Sequence, residues 1–182
     1  APDRVTVGVI ARLDIRKKGQ DVFLRAIERL GPGAGAQFVL IGDGPDRARI
    51  EALAARLPAA IRPTLAGSRT DLADVLNALD VLAIPSRWES VPKVLLEGMW
   101  LRRAVIASRT GDIPEILDSG CGLLTPPGNA AALAQGIEAL IANAVLRERL
   151  GEAARERIES RGLTLAGSIG RYAALYEALA QS

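Results

Sequence analysis

Residues 81–99 read Val81-Leu-Ala-Ile-Pro-Ser-Arg-Trp-Glu-Ser-Val-Pro-Lys-Val-Leu-Leu-Glu-Gly-Met99, an apolar run, a polar loop and a second apolar run. Val81 to Ile84 fits a short buried strand. Pro85 and Ser86 end it, because proline removes a backbone donor and serine supplies turn chemistry. Pro92 suits a first helical turn, where its missing N–H costs nothing, and Val94, Leu95 and Leu96 continue as a buried helix. The first N–H groups of that helix face back toward the loop. Glu89 and Glu97 therefore bracket a candidate anion site.

The same alternation extends to both sides of this stretch. Val5 to Ile10 reads as a buried strand, followed by a basic loop and a helix marked by Phe23, Ala26, Ile27 and Leu30. Gln37 to Ile41 is the next strand, closed by Gly42-Asp43-Gly44-Pro45, and Ile50, Leu53, Ala54 and Leu57 mark the next helix. Ile61 to Leu65 is a weaker strand because Pro63 falls inside it, and Leu72, Val75, Leu76 and Leu79 form a helical stripe after Gly67-Ser68-Arg69-Thr70. Beyond Met99, Ala104 to Ala107 is a strand, Gly111 to Leu117 a loop and short helix, and Cys121 to Leu124 a last short strand. Amphipathic helices then follow, marked by Leu133, Ile137, Leu140 and Ile141, by Leu146, Leu150 and Ala154, and by Ile169, Tyr172, Ala173 and Tyr176. Strands alternating with helices imply an α/β fold with a doubly wound parallel sheet, ending in C-terminal helices. Ligands bind such sheets outside the carboxyl ends of the strands. The loops Ala11–Gly19, Gly42–Pro45, Ala66–Thr70, Pro85–Val91 and Ser108–Pro114 are all expected on that one rim.

Composition bounds the function. The 182 residues and 49% hydrophobic content suit one well-packed domain, and 23 Lys+Arg against 21 Asp+Glu leave a net charge of only +2. That balance carries neither a nucleic-acid footprint nor a strong membrane-surface field. The single Cys121 makes no intrachain disulfide, which fits a reducing compartment. The absence of histidine excludes an imidazole base, a triad or a histidine zinc ligand from this chain. No apolar run is long enough to span a bilayer, and no signal peptide opens the chain. An opening Ala1 instead of Met reads as a piece of a longer protein.

Three groups of residues carry candidate chemistry, and each has a plain alternative. Arg12, Arg16, Lys17 and Lys18 before Gly19 combine a rigid fork with point charges, which suits a diphosphate; a solvated basic loop has the same composition. Glu89 and Glu97 have the residue types of a glycosidase acid and base, and equally those of a surface loop and a helix face. Gly42-Asp43-Gly44-Pro45 and Gly67-Ser68 permit close backbone approach to a ligand, and tight strand-to-helix turns need glycine for structural reasons alone. Neither a Gly-x-Gly-x-x-Gly nor a Gly-x-x-x-x-Gly-Lys-Ser/Thr motif occurs, which argues against a standard dinucleotide or P-loop site. Cys121 reads as a small buried or turn residue, and Tyr172 with Tyr176 as packing residues.

Taken in order, Ala11-Arg12-Leu13-Asp14 with Lys18-Gly19, Ile41-Gly42-Asp43-Gly44-Pro45, and the run from Ala78 to Ser86 form one series of motifs. Glu89-Ser90-Val91-Pro92-Lys93-Val94-Leu95-Leu96-Glu97, Gly111-Asp112-Ile113-Pro114-Glu115-Ile116 and Gly122-Leu123-Leu124-Thr125-Pro126-Pro127-Gly128 complete it. From about Val5 to Tyr176 the chain resembles the C-terminal, donor-binding domain of the GT-B-fold retaining glycosyltransferases of the large group-1 family, the fourth in the sequence classification. The resemblance implies the Rossmann-like half of a GT-B fold. It implies that Arg12 and Lys18 hold the donor diphosphate, Glu97 binds the ribose and Glu89 lies by the donor sugar. It further implies that backbone groups around Ser90, Val91 and Pro92 approach the sugar and phosphates, that Ser68 and Arg69 lie near the base, and that Gly42 joins this binding set. Lys17 competes with Lys18, but Gly19 beside Lys18 favours the latter. Ala11, Ser90, Arg102 and Ala104 depart from residues common in the family, and none of these departures removes a charged group.

The implied activity is transfer of a sugar from a nucleotide diphosphate sugar to an acceptor hydroxyl with retention, without a metal or other cofactor. The implied partners are the nucleotide sugar and a saccharide or lipid-linked acceptor held by an N-terminal domain that the 182 residues do not contain. The implied setting is cytoplasmic, at the inner face of a membrane where the full enzyme associates peripherally. A non-catalytic nucleotide-sugar-binding or interaction module is the alternative from another class.

Overall fold

The computed structural model describes residues 4–117 and 120–164 and, beyond these, 167, 169, 170, 173, 176 and 177. In chain order the strands are β1 (Val5–Ile10), β2 (Ala36–Ile41), β3 (Thr64–Gly67), β4 (Val81–Ile84), β5 (Ala104–Ser108) and β6 (Leu123–Thr125). The helices are α1 (Ile15–Lys18), α2 (Gln20–Leu30), α3 (Arg47–Ala55), α4 (Leu72–Asn77), α5 (Lys93–Trp100), α6 (Ile113–Leu117), α7 (Ala130–Ala142) and α8 (Ala144–Ser160). The strands pair in the order β3-β2-β1-β4-β5-β6, and every pairing is parallel.

Each central strand is apolar on both faces because each face meets helices. Val81 and Ala83 of β4, with Ala104 and Ile106 of β5, pack into a core shared with α2, α3 and α7. Their neighbours Leu82, Ile84, Val105 and Ala107 pack on the other face with residues of α4, α5, α6 and α8. A period of two thus divides one apolar run between two cores. This is the doubly wound arrangement that the alternating pattern implied.

Apart from one-residue shifts at strand ends, three places differ from the sequence reading. The strand expected at Ile61 to Leu65 is a 3-10 turn at Ala59–Ile61 followed by β3, which begins after Pro63. A proline inside the ladder would remove a hydrogen bond, and the strand forms beyond it at the sheet edge. The strand expected from Cys121 begins at Leu123 instead; Cys121 is buried and its thiol donates to the Ile116 carbonyl at 3.3 Å. The basic loop after β1 contains a helical turn, α1, which the charge run concealed. Tyr176 is 69% exposed, against the packing expected of it, and its companion Tyr172 lies outside the described residues.

The exit loops of β1 and β4 are clasped together. Arg87 donates from Nη1 and Nη2 to the two oxygens of Asp21, both at 2.7 Å, and from Nη1 to the Ile15 carbonyl, also at 2.7 Å. The Arg87 N–H donates to the Lys17 carbonyl at 2.9 Å. Gly19 closes α1 at φ 68°, and a Cβ there would lie 2.1 Å from the Pro85 carbonyl oxygen, so only glycine permits this approach.

Two outcomes follow from the clasp. Gly19→Ala should destabilise the chain by about 3–5 kcal/mol in urea unfolding, through backbone strain plus overpacking. Gly128→Ala, at φ 75° with nothing within 4 Å, should cost only about 1–2 kcal/mol. Burial alone would raise the Asp21 carboxyl, but the hydrogen bonds and charge of Arg87, with help from Arg25, outweigh it and hold Asp21 below its ordinary value. A depressed carboxylate stabilises the fold above the ordinary carboxylate range, and that contribution is lost as pH falls through the lowered value. Asp21→Asn should therefore cost about 1.5–3 kcal/mol at neutral pH, and its stability should converge with that of the unaltered chain in acid.

Candidate functional site

The rim above β1 and β4 is built by local rules. Asp14 caps α1 by accepting from the Lys17 N–H at 3.1 Å, and Asp46 accepts from the Ile15 N–H at 2.8 Å. These bonds fix a loop that composition alone leaves free. Lys18 ends α1, and its Nζ donates to Glu89 Oε1 in an ion pair. Glu89 is only 8% exposed, and Ser86 Oγ donates to the same oxygen at 3.2 Å. A buried carboxylate persists as a charge only when paired and hydrogen-bonded, and this one is both. Lys18, Ser86, Glu89 and Pro92 border a small cavity of about 20 Å³ at the carboxyl ends of β1 and β4.

Arg12 lies on the same rim, and its exposed side chain has no hydrogen-bond or ion-pair partner among the described residues. Its backbone carbonyl accepts from the Asp14 N–H at 2.9 Å and from Gln20 Nε2 at 2.8 Å. Gly42 donates to the Gly67 carbonyl at 2.7 Å, and Leu13 donates to the Asp43 carbonyl at 2.9 Å. The glycine turn after β2 is thus tied into the loop after β1. On the other side, the Asp112 N–H donates to the Ser90 carbonyl at 3.3 Å and Thr110 Oγ1 to the Arg87 carbonyl at 3.3 Å. Val91 is exposed, and Pro92 is buried at the start of α5. Trp88 is 68% exposed, with Lys17 Nζ 4.6 Å from its ring centre.

Glu97 does not line that small cavity. It is half-buried on α5 and lines a groove of about 680 Å³ with Leu72, Leu76, Trp100, Leu101 and Ile158. Ser68 and Arg69 are exposed, and Arg69 Nε donates to Asp71 Oδ1 at 2.8 Å, so its guanidinium is held within its own loop. The geometry therefore joins Lys18 with Glu89, puts Pro92 on the same cavity, leaves Arg12, Ser90 and Val91 on the loops that border it, and places Glu97 on a separate groove. A glycosidase dyad needs two carboxyls flanking one bond. Here Glu89 is committed to Lys18. Among the described residues no group of three or more Cys, Asp or Glu side chains is placed to hold a metal ion.

Four contributors were not among the site residues expected from the sequence. Ser86 reads there as a turn residue, although its position at the end of a buried strand is a signal for this rim. Gln20 and Asp21 directly follow Lys18-Gly19, and Arg87 precedes Glu89 by two residues. Only the fold brings the last two together.

The model of the family described as glycosyl transferases group 1 matches residues 4–143. The chain is 30% identical over 175 residues to alpha-D-kanosaminyltransferase of Streptomyces kanamyceticus, covering 91% of this chain and 45% of that protein. Sucrose-phosphate synthase of Thermosynechococcus elongatus superposes with a TM-score of 0.85 at 28% identity, over 100% of this chain and 47% of that one. HepE of Anabaena, solved in complex with UDP, superposes with a TM-score of 0.78 at 25% identity, over 86% of this chain and 44% of that one. The chain thus spans about half the length of these relatives, and its sheet is the Rossmann-like half of a GT-B fold. A match this long, on a fold of this topology, makes the chain a member of the group 1 glycosyl transferase family.

Proposed function

We propose that the chain is the donor-binding unit of a retaining, metal-independent glycosyltransferase that takes its sugar from a nucleotide diphosphate sugar. The observation that carries this reading is the Lys18–Glu89 pair, its carboxylate buried, at the switch point between β1 and β4, with Arg12, unpartnered among the described residues, on the loop that leads from β1 to Lys18. Glu89 neutralises Lys18, so Arg12 supplies the net positive charge for the diphosphate. Lys18 has three N–H donors and holds Glu89 and a phosphate oxygen together. Oε2 of Glu89 accepts no hydrogen bond from the described residues and is available to a sugar hydroxyl. Glu97 holds the ribose, Ser68 and Arg69 border the base, and backbone groups of Gly42, Ser90, Val91 and Pro92 line the path between them. The UDP held by HepE supports a nucleoside diphosphate as the common element.

In the reaction the bond between the sugar's anomeric carbon and the diphosphate oxygen breaks, leaving its electron pair on the phosphate. The acceptor hydroxyl oxygen bonds to that carbon on the same face, and its proton passes to the departing phosphate. Preorganised cations stabilise the charge that develops. Each charge-assisted hydrogen bond contributes about 1.5–3 kcal/mol, enough in combination to stand in for a metal. Glu89 orients Lys18 and the sugar. The acceptor, a saccharide or a lipid-linked one, belongs to an N-terminal domain of the parent protein. A cytoplasmic setting at the inner face of a membrane suits such an acceptor, and the single cysteine accords with it.

Calorimetric titration tests the reading. The chain alone should bind UDP, GDP or ADP weakly and saturably, and show little transfer by itself. Arg12→Ala should weaken that binding about 10- to 100-fold, the equivalent of one charge-assisted hydrogen bond. In the parent protein, Glu89→Ala should abolish most transfer. Intact transfer, or release of sugar to water without a nucleotide leaving group, would contradict the proposal.

A further inference from the structure

Gln20, the first residue of α2, is fully buried. Its amide nitrogen donates to the Arg12 carbonyl at 2.8 Å, and a carbonyl partner requires the NH₂ end of the amide at that position. Its amide oxygen is then left buried without a hydrogen-bond partner, the one such side-chain atom found among the described residues. An unpartnered buried oxygen is unfavourable, and an apolar side chain of the same length would fill the space without that penalty. The stability of the core therefore does not account for an amide here. What the amide does hold is the backbone of Arg12.

The rest of the loop is anchored from β2. Ala11 donates to the Ile41 carbonyl at 3.0 Å and Leu13 to the Asp43 carbonyl at 2.9 Å. At Arg12 the anchoring comes from the α2 side, through Gln20, with the local bond from Asp14. We propose that Gln20 is a positioning residue that fixes the Arg12 backbone, and so aims an otherwise unrestrained guanidinium at the donor diphosphate. This rests on the reading of Arg12 as the diphosphate cation.

The test is NMR titration of the 182-residue chain with UDP and with uridine, alongside thermal unfolding. Gln20→Met keeps length and removes the amide; Gln20→Leu is a second apolar replacement. Both should weaken UDP about 3- to 10-fold, the range of one neutral hydrogen bond. Both should leave uridine affinity unchanged, and the unfolding midpoint unchanged or raised. In an Arg12→Ala background the same substitutions should have no further effect on UDP, because their action passes through Arg12. Equal weakening of uridine and UDP, an additive loss in the Arg12→Ala background, or a lowered midpoint with UDP affinity intact would overturn the positioning role alone. An Arg12→Ala chain with undiminished UDP affinity would overturn the diphosphate reading itself, and the role of Gln20 with it.

Discussion

Everything about the site depends on one topological constraint: the chain leaves β1 toward one face of the sheet and β4 toward the other. Helix α2 packs into the first core and α5 into the second, although β1 and β4 are neighbours. Two adjacent strand ends whose connections diverge leave a crevice that neither loop can fill. Here the crevice is narrowed from both sides by Gly19 against the Pro85 carbonyl and by Arg87 on Asp21. The result is a rigid rim on which a lysine and a buried glutamate meet.

The electrostatics of that rim separate two tasks. Arg87 and Asp21 are a partly buried, two-pronged pair whose charges cancel, and they hold loops in place. Lys18 and Glu89 also cancel, but deeper, and among the described residues one carboxylate oxygen accepts no hydrogen bond. Arg12, like Arg16 and Lys17 of the same loop, has no ion-pair partner among the described residues. Cancelled pairs give geometry, and unpaired cations give attraction for an anion; a site for a charged, flexible diphosphate needs both.

Much of the fold was legible because its rules are local. Short continuous apolar runs at residues 81–84 and 104–107, the first punctuated by Pro85-Ser86 and both set between helical stripes, are enough to indicate buried parallel strands. β1, β4 and the helical stripe of α2 stood where the pattern put them. The edges were less legible. β3 and β6 are short, and their registers depend on neighbours that sequence does not name. In the site, residue types at strand ends offered a basic cluster from Arg12 to Lys18 and the carboxylates Glu89 and Glu97, and the choice of Arg12, Lys18 and Glu89 among them came from the family resemblance. That Lys18 touches Glu89 was not legible, because 71 residues separate them. Nor was the separation of Glu89 from Glu97, which spacing along the chain does not set. Gln20 and Arg87 are ordinary polar residues in sequence, and only burial and hydrogen-bond geometry give them their importance.

The central claim is that the carboxyl ends of β1 and β4 form a diphosphate site. A crystal structure of the chain with a bound nucleoside diphosphate tests it most directly. The diphosphate should lie between the Arg12 guanidinium and Lys18 Nζ, with the nucleoside directed toward Glu97 and the loop of Ser68 and Arg69. A diphosphate bound at another edge of the sheet, or at this edge without contact to Arg12 and Lys18, would contradict it.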